Sequence, residues 1–148
     1  MSCGLALAAA LLLSDPSVAL AAAQPAAVPG APISVASEPL FADIVARSSA
    51  LKAIVDGWAG EPSDFAGFKV QAAELAALDM QAHLILKERG TDGDLKCILR
   101  GISEDIPVKV AAVETAASPE ARATAIGELS YLLNDNVEVI TTPPRAES

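Results

Sequence analysis

The sequence predicts an all-α protein: an antiparallel, up-down-up-down four-helix bundle that follows a signal-like N-terminal segment and a Pro/Ala-rich linker. Three observations carry that expectation. Hydrophobic residues make up 52% of the chain but aromatic residues only 3%, so the apolar character comes from alanine, leucine, valine and isoleucine. Alanine and leucine are strong helix formers, and small aliphatic side chains suit helices packed closely on helices. Apolar residues recur at helical spacing in four stretches, and Pro, Gly, Ser and Asp punctuate the chain between them. Short connections between amphipathic helices imply antiparallel neighbours.

Residues 1–23 begin with the apolar run Gly4–Leu13, shorter than the roughly 20 residues a helix needs to cross a bilayer. The run fits the hydrophobic region of a secretory signal. Small residues at Ala19, Ala21 and Ala23 then offer cleavage sites ahead of Gln24 and Pro25. The expected location is therefore periplasmic or secreted, with no stable transmembrane span in the mature chain. Removal of the segment would take Cys3 with it and leave Cys97 as the sole thiol. Residues 24–37, QPAAVPGAPISVAS, carry three prolines and no helical period, and read as a flexible linker.

The bundle is expected over residues 38–136. Its first helix runs from about Glu38 to Trp58, with Ser37 as N-cap, Pro39 in the first turn and the stripe Leu40, Ile44, Leu51, Val55 and Trp58. Gly57 and Gly60 end it. The second helix, FAGFKVQAAELAALDMQAHLILKERG, is the longest uninterrupted pattern. Pro62, Ser63 and Asp64 open it, with Glu61 or Ser63 as cap, and Gly90 closes it after Lys87 and Arg89. At about 3.6 residues per turn, Phe65, Phe68, Ala72, Leu75, Leu78, Ala82, Ile85 and Leu86 share one face.

The third helix opens at Thr91, with Thr91 and Asp94 at capping-box spacing. Its stripe of Leu95, Ile98, Leu99, Ile102, Ile106, Val110 and Val113 contains Pro107, which should kink or split it. The fourth opens with Ser118, Pro119 and Glu120, carries Ile126, Leu129 and Leu133, and fades at Asn134-Asp135-Asn136. Residues 137–140 form either a short extended segment or a last helical turn, before the polar tail TTPPRAES.

Charge narrows the function. A net charge of −9 denies the chain the basic face that nucleic-acid binding needs, and it disfavours attachment to anionic lipid. The sequence has no Gly-rich phosphate loop, nucleophile elbow or CxxC pair. Thr91-Asp92-Gly93-Asp94 is a cap and turn, because an EF-hand would need Gly at Cys97 and Glu at Ser103.

Asp79 and His83 are the one chemically suggestive pair. Four residues apart, they lie within the apolar arc of the second helix, Asp79 near its centre and His83 on one shoulder. Two readings apply: a metal or proton-transfer site, or a hydrogen-bonded polar pair at the core edge. Metal-binding bundles draw ligands from several helices, yet His83 is the only histidine. A non-covalent haem would use His83, but Met80 falls well off the apolar centre and does not supply a second axial ligand easily. A histidine phosphotransfer role fails on sequence, since that motif needs Lys and then Gly where this chain has Leu86 and Lys87. Cys97, opposite the stripe of its helix and beside Lys96 and Arg100, is a candidate reactive thiol.

The expectation is a non-catalytic, extracytoplasmic bundle that acts by protein–protein interaction or self-association, with no cofactor. The alternative is a small metal- or haem-binding bundle centred on Asp79 and His83. Val70 and Leu84 on the second helix and Leu132 on the fourth lie off the stripes and would form a partner or homo-oligomer surface if they align.

Overall fold

A computed structural model describes residues 34–90 and 93–143. The signal-like segment, most of the linker, Thr91 and the end of the polar tail lie outside the described residues. The described residues form four helices: α1 (Pro39–Asp56), α2 (Phe65–Glu88), α3 (Leu95–Thr115) and α4 (Pro119–Thr141). Each packs on its neighbours in sequence, and α4 returns to α1, so the helices close a ring with α1 and α3, and α2 and α4, on its diagonals. Cross-links between α2 and α3 run in opposite sequence directions: Lys69 pairs with Glu114, Ser103 Oγ donates to the Ala76 carbonyl, and His83 meets Lys96. This is the expected all-α antiparallel bundle. Among the described residues, no helix is long and apolar enough to cross a membrane.

The helix ends obey their local chemistry with some adjustments. Ser118 caps α4 as expected, accepting from the Ala121 backbone N–H at 3.1 Å with Pro119 in the first turn. Gly90, at φ 64°, closes α2 in the left-handed conformation that glycine adopts without penalty. At the start of α1 the cap position falls to Glu38 instead of Ser37, and Glu38 works through its charge. Its carboxylate takes two hydrogen bonds from the Arg89 guanidinium, at 2.9 and 2.7 Å, tying the start of α1 to the end of α2. Asp64, with φ 45°, occupies the cap position of α2 in place of the expected Glu61 or Ser63, and Gly67 leaves room for its carboxylate. The linker is not wholly outside the fold: Val35 is fully buried in the core.

The third helix does not split at Pro107, and of the two readings of residues 137–140 the helical one holds. α3 runs unbroken through Pro107, which is exposed on the outer side while Ile102, Ile106 and Val110 are buried. The proline lacks the N–H that would bond the Ser103 carbonyl and its ring crowds that carbonyl, and packing of the inner stripe carries the helix across. α4 likewise does not stop at Asn136 but continues to Thr141, so residues 137–141 belong to the bundle as helix and not as an extended segment. The reason is tertiary: Asn136 faces the core, and one turn later Val139 and Ile140 are buried with it.

Phe41, Ile44, Leu51, Leu75, Leu99, Ile106, Leu129 and Leu133 fill the interior. Aromatic side chains gather at one corner, where α1 turns into α2. Trp58 meets Phe65 and Phe68 edge-on, with ring centroids 5.9 and 4.7 Å away. Cations on the surface bridge neighbouring helices, as Arg47 does to Glu74 and Lys109 to Glu128. Such exposed pairs contribute little each, about 0–1 kcal/mol, so aliphatic burial dominates stability.

The extension of α4 has a measurable consequence. Ile140→Ala is expected to destabilise the protein by about 2–4 kcal/mol in chemical denaturation, comparable to Leu129→Ala. A loss below about 1 kcal/mol would mean that α4 ends earlier.

Candidate functional site

Three polar side chains meet in the otherwise aliphatic interior. Ser48 lies on the stripe of α1 between Ile44 and Leu51, Asp79 on that of α2 between Leu75 and Ala82, and Asn136 on that of α4 between Leu133 and Ile140. All three are fully buried. The Asn136 amide is the hub: its Nδ2 donates to Asp79 Oδ2 at 2.9 Å and to Ser48 Oγ at 3.0 Å. The bond to Asp79 spans the diagonal of the bundle, joining two helices whose backbones do not touch.

The electrostatics of this cluster follow from burial. Desolvation pushes the Asp79 carboxyl up to about 7, and the Asn136 hydrogen bond, which favours the anion, offsets only part of that. Asp79 Oδ1 and Asn136 Oδ1 have no hydrogen-bond donor. A buried acceptor without a donor costs about 1–3 kcal/mol. A proton on Asp79 removes the charge from this dry interior, so the neutral acid suits the site better than the carboxylate. The arrangement is a directional lock between α1, α2 and α4.

Asp79 and His83 are on one arc of α2 as expected, but their hydrogen bonds diverge. Asp79 turns inward to Asn136. His83, half-buried, places Nδ1 2.6 Å from the Lys96 carbonyl oxygen on α3, so Nδ1 carries the proton and donates. His83 thus clips the end of α2 to the first turn of α3. Among the described residues, no three His, Cys, Asp or Glu side chains converge as a metal-holding group. Met80 is half-buried, and Cys97 is a free, exposed thiol on α3, where Arg100 is paired with Glu104 at 2.9 Å.

Sequence reasoning missed Ser48 and Asn136, although both continue the apolar spacing of their helices. That spacing, read through a polar residue, was the available signal.

The outer side of α2 is unusual in another way. Val70 is 60% exposed and Leu84 49%, and Ala66, Ala73 and Ala77 between and beside them are also exposed. Leu132, by contrast, is partly buried against the core on α4. A shallow, mostly apolar groove of about 220 Å³ flanks this face between α2 and α3, lined by Ala72, Ala73, Pro107, Val110 and Ala111, with the Lys69–Glu114 pair beside it.

The buried acid makes stability fall with rising pH. Unfolded, the Asp79 carboxyl titrates near 3.8; folded, it holds its proton to about 7. The native state therefore binds more protons between these values. Its contribution, on the order of 4 kcal/mol, is lost as pH rises from about 4 to 7 and changes no further above that. Asp79→Asn, which cannot ionise, is expected to remove this slope in urea melts across that range. An unchanged slope in the variant would show that Asp79 is ionised in the fold.

No protein-family profile, curated protein or solved structure matches this chain.

Proposed function

We propose that this chain is an exported, non-catalytic helical bundle whose work is to bind protein through the outer face of α2. The observation that carries this reading is the apolar exterior of that helix. Val70 and Leu84 both stand in solvent on this one helix, with the alanines between them leaving room for close approach, whereas Ile54, Val108 and Tyr131 are exposed one to a helix on α1, α3 and α4. A helix that serves only to cover a core needs one apolar face. α2 has two.

The other polar groups support the same assignment. Asp79 is taken up by Asn136, and His83 by a backbone carbonyl. Neither is left facing a cleft with a nucleophile or a second acid–base group beside it, as acid–base catalysis would need. The alternative, a metal or haem group held by Asp79 and His83, leaves the His83 Nδ1–H bond in place and uses Nε2, but it requires the Asp79 carboxyl to turn away from Asn136 in the interior.

Export is part of the proposal, resting on the apolar run at Gly4–Leu13 and the small residues at Ala19, Ala21 and Ala23. N-terminal sequencing of the protein recovered from its host should begin at or near Gln24; a chain beginning at Met1 or Ser2 would argue against cleavage.

The interaction itself is tested by charge. Val70→Glu/Leu84→Glu is expected to fold like the parent, because both positions are exposed. It should lose whatever protein the parent retains in chemical cross-linking within the host. Identical cross-linked products from parent and variant would refute the α2 face as a binding surface.

A further inference from the structure

The apolar exterior of α2 has a period. Val70, Ala77 and Leu84 are spaced seven residues apart, and Ala66, Ala73 and Met80 fall four residues before each. This is the a/d pattern of a coiled-coil seam. It lies opposite the core, since Phe68, Leu75 and Ala82 of the same helix are the buried positions. Alanine suits any helix surface, and the two large residues Val70 and Leu84, two heptads apart on the same face, are what a helix that pairs with another helix adds to it.

The seam is also symmetric about its own middle. Ala77 lies midway between Val70 and Leu84. When two such helices cross antiparallel at Ala77, each Val70 falls opposite the Leu84 of the other copy and Ala73 falls opposite Gln81. The two Ala77 residues meet at the axis. Large residues then flank a small centre on both sides, which allows the backbones to approach at the near end of the 8–10 Å range of helix pairs.

Charge selects the same arrangement. Two molecules that each carry −9 repel across most of their surfaces, and this seam is uncharged from Ala66 to Leu84. The acids at its edges are Glu74, held by Arg47 at 3.2 Å, and Glu88. In a parallel pairing each would sit at the level of its own counterpart. In the antiparallel pairing Glu74 comes level with Met80, and Glu88 with Ala66.

Resting on the reading of α2 as a binding face, we propose that its occupant is a second copy of this chain. The two α2 helices pack antiparallel about a two-fold axis at Ala77. The contact is isologous, one patch matched with itself, so it closes at a dimer. With alanine at half of the seam positions, the contact is small and the dimer is of modest strength.

Sedimentation of the full chain with Cys3 and Cys97 replaced by Ser gives the first readout. A concentration-dependent monomer–dimer equilibrium is expected, with Kd raised at least about tenfold by Val70→Glu/Leu84→Glu. An association unaffected by that variant would overturn the proposal by placing the contact elsewhere.

Oxidative cross-linking in the same background reads the geometry. Ala77→Cys should give a disulfide dimer, because facing Cα atoms at the axis come within about 7 Å. Val70→Cys alone should not, since its two copies lie about 21 Å apart along the seam. Val70→Cys/Leu84→Cys should link again. Cross-linking of Val70→Cys alone, as readily as of Ala77→Cys, would mean a parallel pair and overturn the proposal.

A monomer at all concentrations would overturn it as well, and the host cross-linking then separates two cases. A different protein lost with Val70→Glu/Leu84→Glu would leave the binding face standing with another occupant. Products unchanged by the variant would remove the face too.

Discussion

A carboxyl group at the centre of an aliphatic interior constrains how the helices around it can sit. The leucines, isoleucines and alanines that fill this core attract one another without direction, and many small shifts of one helix along another would bury nearly the same area. Asp79, Asn136 and Ser48 do not tolerate such shifts. A one-residue slip of α4 turns Asn136 away from Asp79 and Ser48, and each polar group stranded in the dry interior costs about 1–3 kcal/mol. The network therefore fixes the register of α1, α2 and α4 where the apolar packing alone is permissive. α3 is registered separately, through His83 on the Lys96 carbonyl and Ser103 on the Ala76 carbonyl.

Both sets of contacts converge on α2. Its inner face supplies Asp79, its edge supplies His83, and Glu74 receives Arg47 from α1. Its outer face adds the heptad of Val70, Ala77 and Leu84. The abundance of alanine makes this double duty possible, because a helix of small residues can lie close to neighbours on several sides at once.

The fold was legible in the sequence because helical period is a strong signal, and because Ser118-Pro119-Glu120 and Gly90 carry local mechanisms that tertiary structure had no reason to override. Asp79 was placed near the centre of the buried arc by the same arithmetic. Its partners were not, because the hydrogen bonds that Asn136 donates to Asp79 and to Ser48 join residues 57 and 88 positions apart, and spacing along one helix says nothing about who faces it. Asn134-Asp135-Asn136 resembled a helix end since these residues are weak helix formers. Burial of Asn136 against two partners, and of Ile140 beyond it, outweighs that weakness. Pro107 resembled a break for a similar local reason and is carried by the packed residues on either side. The neighbour relation between Asp79 and His83 was correct as helix geometry and silent on which way each side chain turns.

The aromatic corner at the α1–α2 turn has a practical side. Trp58 is the chain's single tryptophan, 6% exposed, packed edge-on against two phenylalanines, with its indole N–H unpartnered. An indole in so dry and weakly polar a setting emits at short wavelength, and solvent entry at that corner moves the emission to the red. The molecule thus carries one native fluorophore at the junction of the two helices that hold Ser48 and Asp79. Loosening of that junction can be followed by light, without a label.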